Sequence, residues 1–216
     1  ARLRATGRIL PPRDGAAVEI DIRIEDLKTD ALFAESLPEN RRSVYETIFS
    51  RAEYDRLRDA GAVLSVASRD ALLAERIDVQ ASLDEMARDE TASAVETERL
   101  REKLASIDAR LGTPVFELGG SGTLDIAIRR AEGDDSRYEE TIVIDIPDAG
   151  LVVDRFPYPA IAERLRLRIE GGVATIEPSG LRGLHAGTGT ISGEVRYTRD
   201  DYAPDIRIGA RDVPID

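Results

Sequence analysis

The clearest pattern in the sequence is an alternation of apolar and charged residues between Leu165 and Ile176. Leu165, Leu167 and Ile169 alternate with three arginines, and a Gly-Gly pair at 171–172 then precedes the run VATI. Such alternation is typical of a half-buried strand, and Gly-Gly between two such runs predicts a two-residue hairpin turn. With that turn, Leu167 faces Ile176. One face of the hairpin is then apolar and the other is charged.

The same alternation recurs towards both ends of the chain. The first 26 residues contain two such stretches, of which Val18–Ile24 is the stronger, and residues 115–154 contain two more, centred on Leu124–Ile128 and Ile142–Ile146. Runs of this kind, separated by turn clusters, indicate an antiparallel sheet with one face towards the core and one towards water. We expect about seven or eight strands in all.

Between the two groups of strands the apolar spacing becomes helical. Asp30 is placed to cap a short helix, ALFAESL, which Pro38 ends. Asn40 is placed to cap a second helix, and Gly61 is placed to end it.

Residues 68–111 form the most helical stretch. Their apolar residues recur at spacings of three and four, as in packed helices. The pattern Ser93–Glu96 is that of a capping box, which predicts a chain break near residues 89–92. This favours a helical hairpin, with a single long helix as the alternative.

The two ends of the chain also resemble each other. Thr6–Ile9 matches Ser192–Val195, and Asp21–Ile24 recurs identically as Asp205–Ile208. The offsets are 192 − 6 = 186 and 205 − 21 = 184, so one small gap aligns them. Matched pieces in the same order indicate an internal repeat. The chain would then be cut from a longer array of sheet units.

Together these elements predict an α+β fold. The sheet would be twisted and antiparallel, an open groove-like meander with a helical hairpin inserted after its second strand. Residues 1–30 would supply the first strands of a β unit, and residues 31–112 the helical insertion. Residues 113–216 would form the meander that completes the sheet and starts the next repeat.

Composition narrows the classes of partner. The chain has 216 residues and a formal net charge of −12, which argues against nucleic acid as a partner. It contains no run of about 18 apolar residues, so we expect no transmembrane segment. It has no cysteine, which excludes disulfides, thiolate metal sites and a cysteine nucleophile. We expect no cofactor.

The residues that could carry chemistry occur without a supporting motif. His185, the single histidine, lies between glycines in a predicted turn, so a structural or solvent-facing role is favoured over a base or a ligand. The glycine-rich segment 119–122 precedes a strand and lacks the ending of a phosphate-binding loop, so it indicates a bulge or turn. A group of acidic residues could hold calcium or act as acid–base pairs, but it lacks calcium-loop spacing, so a solvated hairpin tip is favoured. They are Asp134, Asp135, Glu139, Glu140, Asp145, Asp148 and Asp154.

The row of Arg164, Arg166 and Arg168 has two interpretations. It is either a phosphate or lipid-headgroup site, or a solvated outer face paired with nearby acids. The second is favoured. We therefore predict no catalytic residue and no metal site, and we expect that the chain is not an enzyme.

Several short motifs resemble the repeating unit of AsmA-like proteins, the group that includes the TamB-like and bridge-like lipid-transfer proteins. The resemblance covers about half of the chain, and the helices from about Asn40 to Leu111 depart from it. The segments that carry it are FPYP at 156–159, the arginine-rich strand 164–169, GVATI at 172–176, LRGLH at 181–185, TISGEV at 190–195, and the matching ends 21–30 and 205–216.

The resemblance implies a long U-shaped antiparallel sheet whose apolar inner face carries lipid acyl chains across the periplasm or serves envelope assembly. It implies no catalytic residues. We therefore expect a non-enzymatic segment of a larger, membrane-anchored periplasmic protein, with a lipid or lipid-like ligand and neighbouring repeats of the same chain as partners. The anchor would lie outside this chain. The expected lipid-facing residues are Ile142, Ile144, Ile146, Leu165, Leu167, Ile169 and Ile176.

A second interpretation stays open. The chain could instead be a structural or protein-interaction module with a closed core, in which the helical hairpin mediates assembly. The two differ in whether the apolar stripes pack against helix residues such as Leu73, Ile77 or Leu104, or line an open trough.

Overall fold

A computed structural model describes residues 1–10, 15–88, 93–133, 138–154, 156–185, 187–198 and 202–212. Its eight strands form one antiparallel sheet in which every strand pairs with its neighbours in sequence. The strands are β1 Arg2–Leu10, β2 Ala17–Lys28, β3 Ser121–Arg130, β4 Glu139–Val153, β5 Phe156–Glu170, β6 Val173–Gly183, β7 Thr188–Tyr197 and β8 Tyr202–Arg211.

Five helices lie between β2 and β3 within the described ranges. The predicted α+β fold, an open antiparallel meander with helices after the second strand, is therefore confirmed. The helices are α1 Ala31–Ser36, α2 Glu39–Ile48, α3 Arg51–Asp59, α4 Val66–Met86 and α5 Ala94–Leu111.

The chain divides into two compact units. One, the sheet unit, comprises Ala1–Tyr54 and Leu118–Asp216, and the other, the helical unit, comprises Asp55–Glu117. The sheet unit therefore contains α1 and α2 as well as all eight strands.

The β5–β6 hairpin has the register that the alternation predicts. Leu167 lies opposite Ile176, and Glu170 lies opposite Val173. Gly171 and Gly172 form the turn with φ angles of 56° and 81°. Both angles lie in the left-handed region that glycine adopts without a steric penalty, which is why a two-residue turn forms here.

The first two helices begin and end partly as expected. The Asp30 side chain accepts a hydrogen bond from the Phe33 N–H at 3.1 Å and caps α1, as predicted. The predicted cap of the second helix at Asn40 is wrong, because α2 already begins at Glu39, after Pro38. Pro38 occupies the N-cap of α2, without a side-chain capping hydrogen bond, and Glu39 places an acidic side chain in the first turn.

The helix expected from Asn40 to Gly61 is interrupted after Ile48. There Phe49 leaves the helical conformation and bridges to Val152, and the Ser50 N–H donates to the Val152 carbonyl at 2.8 Å. Backbone groups that would have continued the helix are thus satisfied by β4, so α2 and α3 are separate helices.

The helical unit contains the predicted hairpin. Helices α4 and α5 pack against each other through buried Leu72, Val79 and Ile107. Ser93 occupies the N-cap of α5 but makes no side-chain capping hydrogen bond. The predicted break at residues 89–92 lies outside the described residues.

The two ends of the chain that match in sequence form equivalent hairpins, β1–β2 and β7–β8. Gly7 lies opposite Ile20, and its counterpart Gly193 lies opposite Ile206, which corresponds to Ile22. When the counterparts are aligned with the offsets of 186 and 184, the two registers therefore differ by two residues. A shift of two keeps every side chain on the same face of the sheet.

Candidate functional site

The apolar face of the sheet is the candidate site, and a continuous row of residues crosses it. Consecutive strand pairings place each member of this row opposite the next. Since neighbouring strands lie about 4.8 Å apart, a row over eight strands extends about 34 Å. Its members are Leu3, Ile24, Leu124, Ile144, Leu167, Ile176, Gly193 and Ile206.

Four strands carry an irregularity close to this row. In β2, β4, β5 and β6 two consecutive inward residues lie three positions apart instead of two: Ile24 and Leu27, Ile146 and Ala149, Ala162 and Leu165, Ile176 and Ser179. The extra residue in β2 is Asp26 and in β4 Asp148, with left-handed φ angles of 55° and 50°. An extra residue bends a strand and increases its twist, while both halves of the strand keep their inward side chains on one face.

Helix α2 covers the centre of the apolar face. Tyr45, Ile48 and Phe49 belong to the same buried cluster as the inward residues of β4, β5 and β6. The Tyr45 and Phe49 rings stack with centroids 4.7 Å apart, and Phe33 of α1 meets Tyr45 edge-on at 5.7 Å. Aromatic pairs of this geometry add to the burial of their apolar surface.

Tyr45 also fixes α2 through its hydroxyl group. The Oη atom donates a hydrogen bond to the Thr29 carbonyl at 2.9 Å, in a buried environment. Burial raises the pKa of Tyr45, because the phenolate would lose its hydration. The hydroxyl therefore stays protonated and keeps donating across the neutral range.

The seven predicted lipid-facing residues all lie on this face, and they come together beneath the helices of the sheet unit. Six of them are buried, and Ile169 is partly buried against the same cluster. In this conformation α2, together with α1, covers these seven residues. Lipid contact at these residues stays a prediction, and it would require α2 to move away from β4 and β5.

At the margin of the same face, in β1, the described residues of the sheet unit leave apolar side chains exposed. Leu3 and Ile9 point to the apolar side, since they lie opposite Ile24 and Val18, yet they are 67% and 55% exposed. Large exposed apolar side chains that continue a buried apolar row are typical of a contact surface. Sequence reasoning missed this difference, because alternation assigns a residue to a face without saying what covers that face.

The charged face agrees with the solvated interpretation of the arginine row. Arg164 Nε donates to Asp145 Oδ1 at 2.8 Å, and this hydrogen bond holds the pKa of Asp145 below its ordinary value. Arg166 pairs with Glu177 at 3.5 Å, and Arg168 lies 2.8 Å from the carboxylate of Glu170. Each arginine of the row therefore has an acidic neighbour.

The glycine-rich segment holds two strands together. Thr29 exchanges hydrogen bonds with Gly120, with its N–H donating at 2.9 Å and its hydroxyl accepting from the Gly120 N–H at 2.9 Å. A Cβ atom at Gly119 would lie 2.0 Å from the Thr29 carbonyl oxygen. Close approach of backbones explains why glycine occupies this position.

The remaining candidate groups are dispersed. His185 is exposed in the turn between β6 and β7. Glu140 pairs with Arg41, and Asp148 lies 3.7 Å from Arg182. Asp134 and Asp135 lie outside the described residues. Over the described part of the chain, no three acidic or histidine side chains are arranged to hold a metal ion.

Among the helices that the structure describes, none combines the length and the apolar character needed to cross a bilayer. Comparison with known proteins found no matching family model, no matching curated protein and no matching solved structure. The AsmA-like resemblance therefore stays a prediction that rests on the short motifs of the sequence.

Proposed function

We propose that the chain is a non-enzymatic segment of an AsmA-like periplasmic protein and that the apolar face of its sheet contacts or conveys lipid. One observation carries the proposal: the apolar row continues from the covered centre of the sheet to Leu3, which is 67% exposed at the margin. An acyl chain that lies along an apolar surface gains the free energy of burying that surface without needing polar partners.

The uncovered margin is the place where a lipid would first make contact. Besides Leu3 and Ile9, the half-buried side chains of Ile20, Ile22 and Ile24 lie on this side of the neighbouring strand. Farther along the face, α2 occupies the position that an acyl chain would take. Lipid contact therefore begins at β1 and β2 and extends towards β4 only if α2 is displaced.

Lipid binding is tested by incubating the full chain with a fluorescent phosphatidylethanolamine and measuring retained lipid by native mass spectrometry. Leu3→Asp places a charge on the margin, and we expect it to remove most of the retained lipid. Ile77→Asp in α4 is the matched control, because Ile77 is also 67% exposed. Circular dichroism should show that both variants are folded. Equal lipid retention by the two variants would contradict the proposal.

A second function is favoured by a different observation. The centre of the face is closed by α2, as expected of a structural or protein-interaction module with its own core. In that case the helical hairpin would mediate assembly through its exposed apolar residues Val66, Ile77 and Val95. Sedimentation analysis of the Ile77→Asp variant tests this. A loss of self-association, with lipid retention absent from the wild-type chain, would support the module.

A further inference from the structure

The tetrapeptide Asp-Ile-Arg-Ile occurs twice in the sheet, once in a strand with two neighbours and once in a strand with one. In β2 it spans Asp21–Ile24, between β1 and β3. In β8 it spans Asp205–Ile208, and among the described strands only β7 pairs with it. The edge of β2 that receives β3 therefore has a counterpart in the open edge of β8.

The two copies present the same faces. Ile22 and Ile24 lie on the apolar side, and Ile206 and Ile208 pack against the apolar cluster of the sheet unit. Arg23 consequently corresponds to Arg207 on the charged side. Equivalent faces mean that a strand suited to one edge is suited to the other in both its apolar and its charged residues.

The pairing of β2 with β3 shows which side chains suit an edge with the sequence Asp-Ile-Arg-Ile. In β3, Leu124 and Ile126 lie opposite Ile24 and Ile22, while Asp125 lies opposite Arg23. The Arg23 guanidinium reaches the Asp125 carboxylate at 3.2 Å. In β8, Arg207 lies 3.5 Å from Asp205 on its own strand, and its side chain is 79% exposed.

We propose that the open edge of β8 binds an antiparallel β-strand that follows the pattern of β3. The occupant has apolar residues at alternate positions, which extend the apolar face, and an acidic residue opposite Arg207. Main-chain hydrogen bonds hold such an added strand, and the side-chain pattern selects it. This inference does not depend on lipid.

The strand β1 of a second copy fits this edge poorly. It carries Arg2, Arg4 and Arg8 on its charged side and contains no carboxylate. The charged side of β8 carries two arginines, Arg207 and Arg211, and one carboxylate, Asp205, and like charges on facing strands destabilise the pairing. Pairing of β8 with β1 in a second copy would also form an open, head-to-tail chain of molecules. The charges thus favour a strand from outside this sequence.

A charge swap tests the pairing directly. The probe is a labelled synthetic peptide with the β3 sequence SGTLDIAIRR, compared with the same peptide carrying Asp125→Arg. Fluorescence anisotropy measures the binding of each peptide to the full chain without lipid. We expect the wild-type chain to prefer the acidic peptide by about twofold to fivefold, and the Arg207→Glu chain to prefer the basic peptide.

The matched control is Arg4→Glu, the same charge change at the opposite edge of the sheet. It should leave the preference for the acidic peptide unchanged. Hydrogen exchange should show new protection in β8 when the acidic peptide binds.

Binding of neither peptide, protection in β1 instead of β8, or a preference that Arg207→Glu does not reverse would each overturn the proposal. Concentration-dependent oligomers of the chain alone, protected at both β1 and β8, would identify a second copy as the occupant and would overturn it as well. None of these outcomes bears on lipid retention at Leu3, so the two proposals fail separately.

Discussion

The centre and the margin of the apolar face have the same sequence pattern and different surroundings. Leu165 in β5 is fully buried, whereas Leu3 in β1 is 67% exposed. Both belong to strands that alternate apolar and charged residues, and both point to the same side of the sheet. The difference comes from α2, which packs on the centre of the face.

Apolar surface has two different uses in this sheet. At the centre the surface is already removed from water, so its free energy stabilises the fold. At the margin part of it remains in contact with water, so the same kind of surface is available for binding. A strand pattern predicts the amount of apolar surface, and the packing of helices decides how much of it remains free.

The largest expected effect is a loss of stability when the centre is truncated. Leu165→Ala should lower the free energy of unfolding by about 2–5 kcal/mol, because a buried leucine leaves a cavity. Leu3→Ala, the same change at the margin, should alter it by less than about 0.5 kcal/mol. Urea denaturation followed by circular dichroism measures both. Similar losses for the two variants would mean that the margin is as well packed as the centre.

A second, smaller effect concerns the attachment of α2. Tyr45→Phe keeps the ring that stacks on Phe49 and removes the hydrogen bond to the Thr29 carbonyl. The loss should be about 1 kcal/mol, and more if the buried carbonyl stays unpaired. Tyr138→Phe is the control, since Tyr138 is exposed and its change should be close to neutral. Hydrogen exchange of the α2 amides should rise in Tyr45→Phe alone.

The sheet could be predicted from the sequence, and its cover could not. Alternation and the Gly171–Gly172 turn predict the β5–β6 register residue by residue. The turn has two residues, and side chains alternate between the two faces of a strand, so one pairing alone places the apolar residues of both strands on the same face. The cover requires a tertiary contact. Val44, Tyr45 and Ile48 form an apolar stripe on a helix, but the stripe alone does not identify the surface against which the helix packs.

The extra residues at Asp26 and Asp148 were also missed, although a signal exists. In both strands an Ile-x-Ile run is followed by one residue and then an aspartate, which tolerates the left-handed conformation better than most residues. The break of the helix at Phe49 had no comparable signal. It depends on a backbone bridge to Val152, more than 100 residues along the chain.

The smallest expected effect lies on the charged face and depends on pH. The hydrogen bond from Arg164 lowers the pKa of Asp145, so the ionised carboxylate is favoured in the folded state relative to the unfolded state. A lowered pKa contributes stability above the ordinary carboxyl pKa of about 4, and that contribution is lost as the pH falls through the lower folded value. Asp145→Asn should therefore be less stable than the wild-type chain at pH 7, and the difference should shrink below about pH 4.

Solvent limits the size of this difference, because the Arg164 side chain is 67% exposed. Urea denaturation at a series of pH values measures it, and 1 M salt should reduce it at pH 7. Asp205→Asn is the control: Asp205 is 73% exposed beside Arg207, and its replacement should change the free energy of unfolding little at pH 7. A difference between wild-type and Asp145→Asn that grew as the pH fell would mean that Asp145 is destabilising in its ionised form. The pairing of Asp145 with Arg164 on the charged face would then lower the stability of the fold, whereas the covered centre of the apolar face raises it.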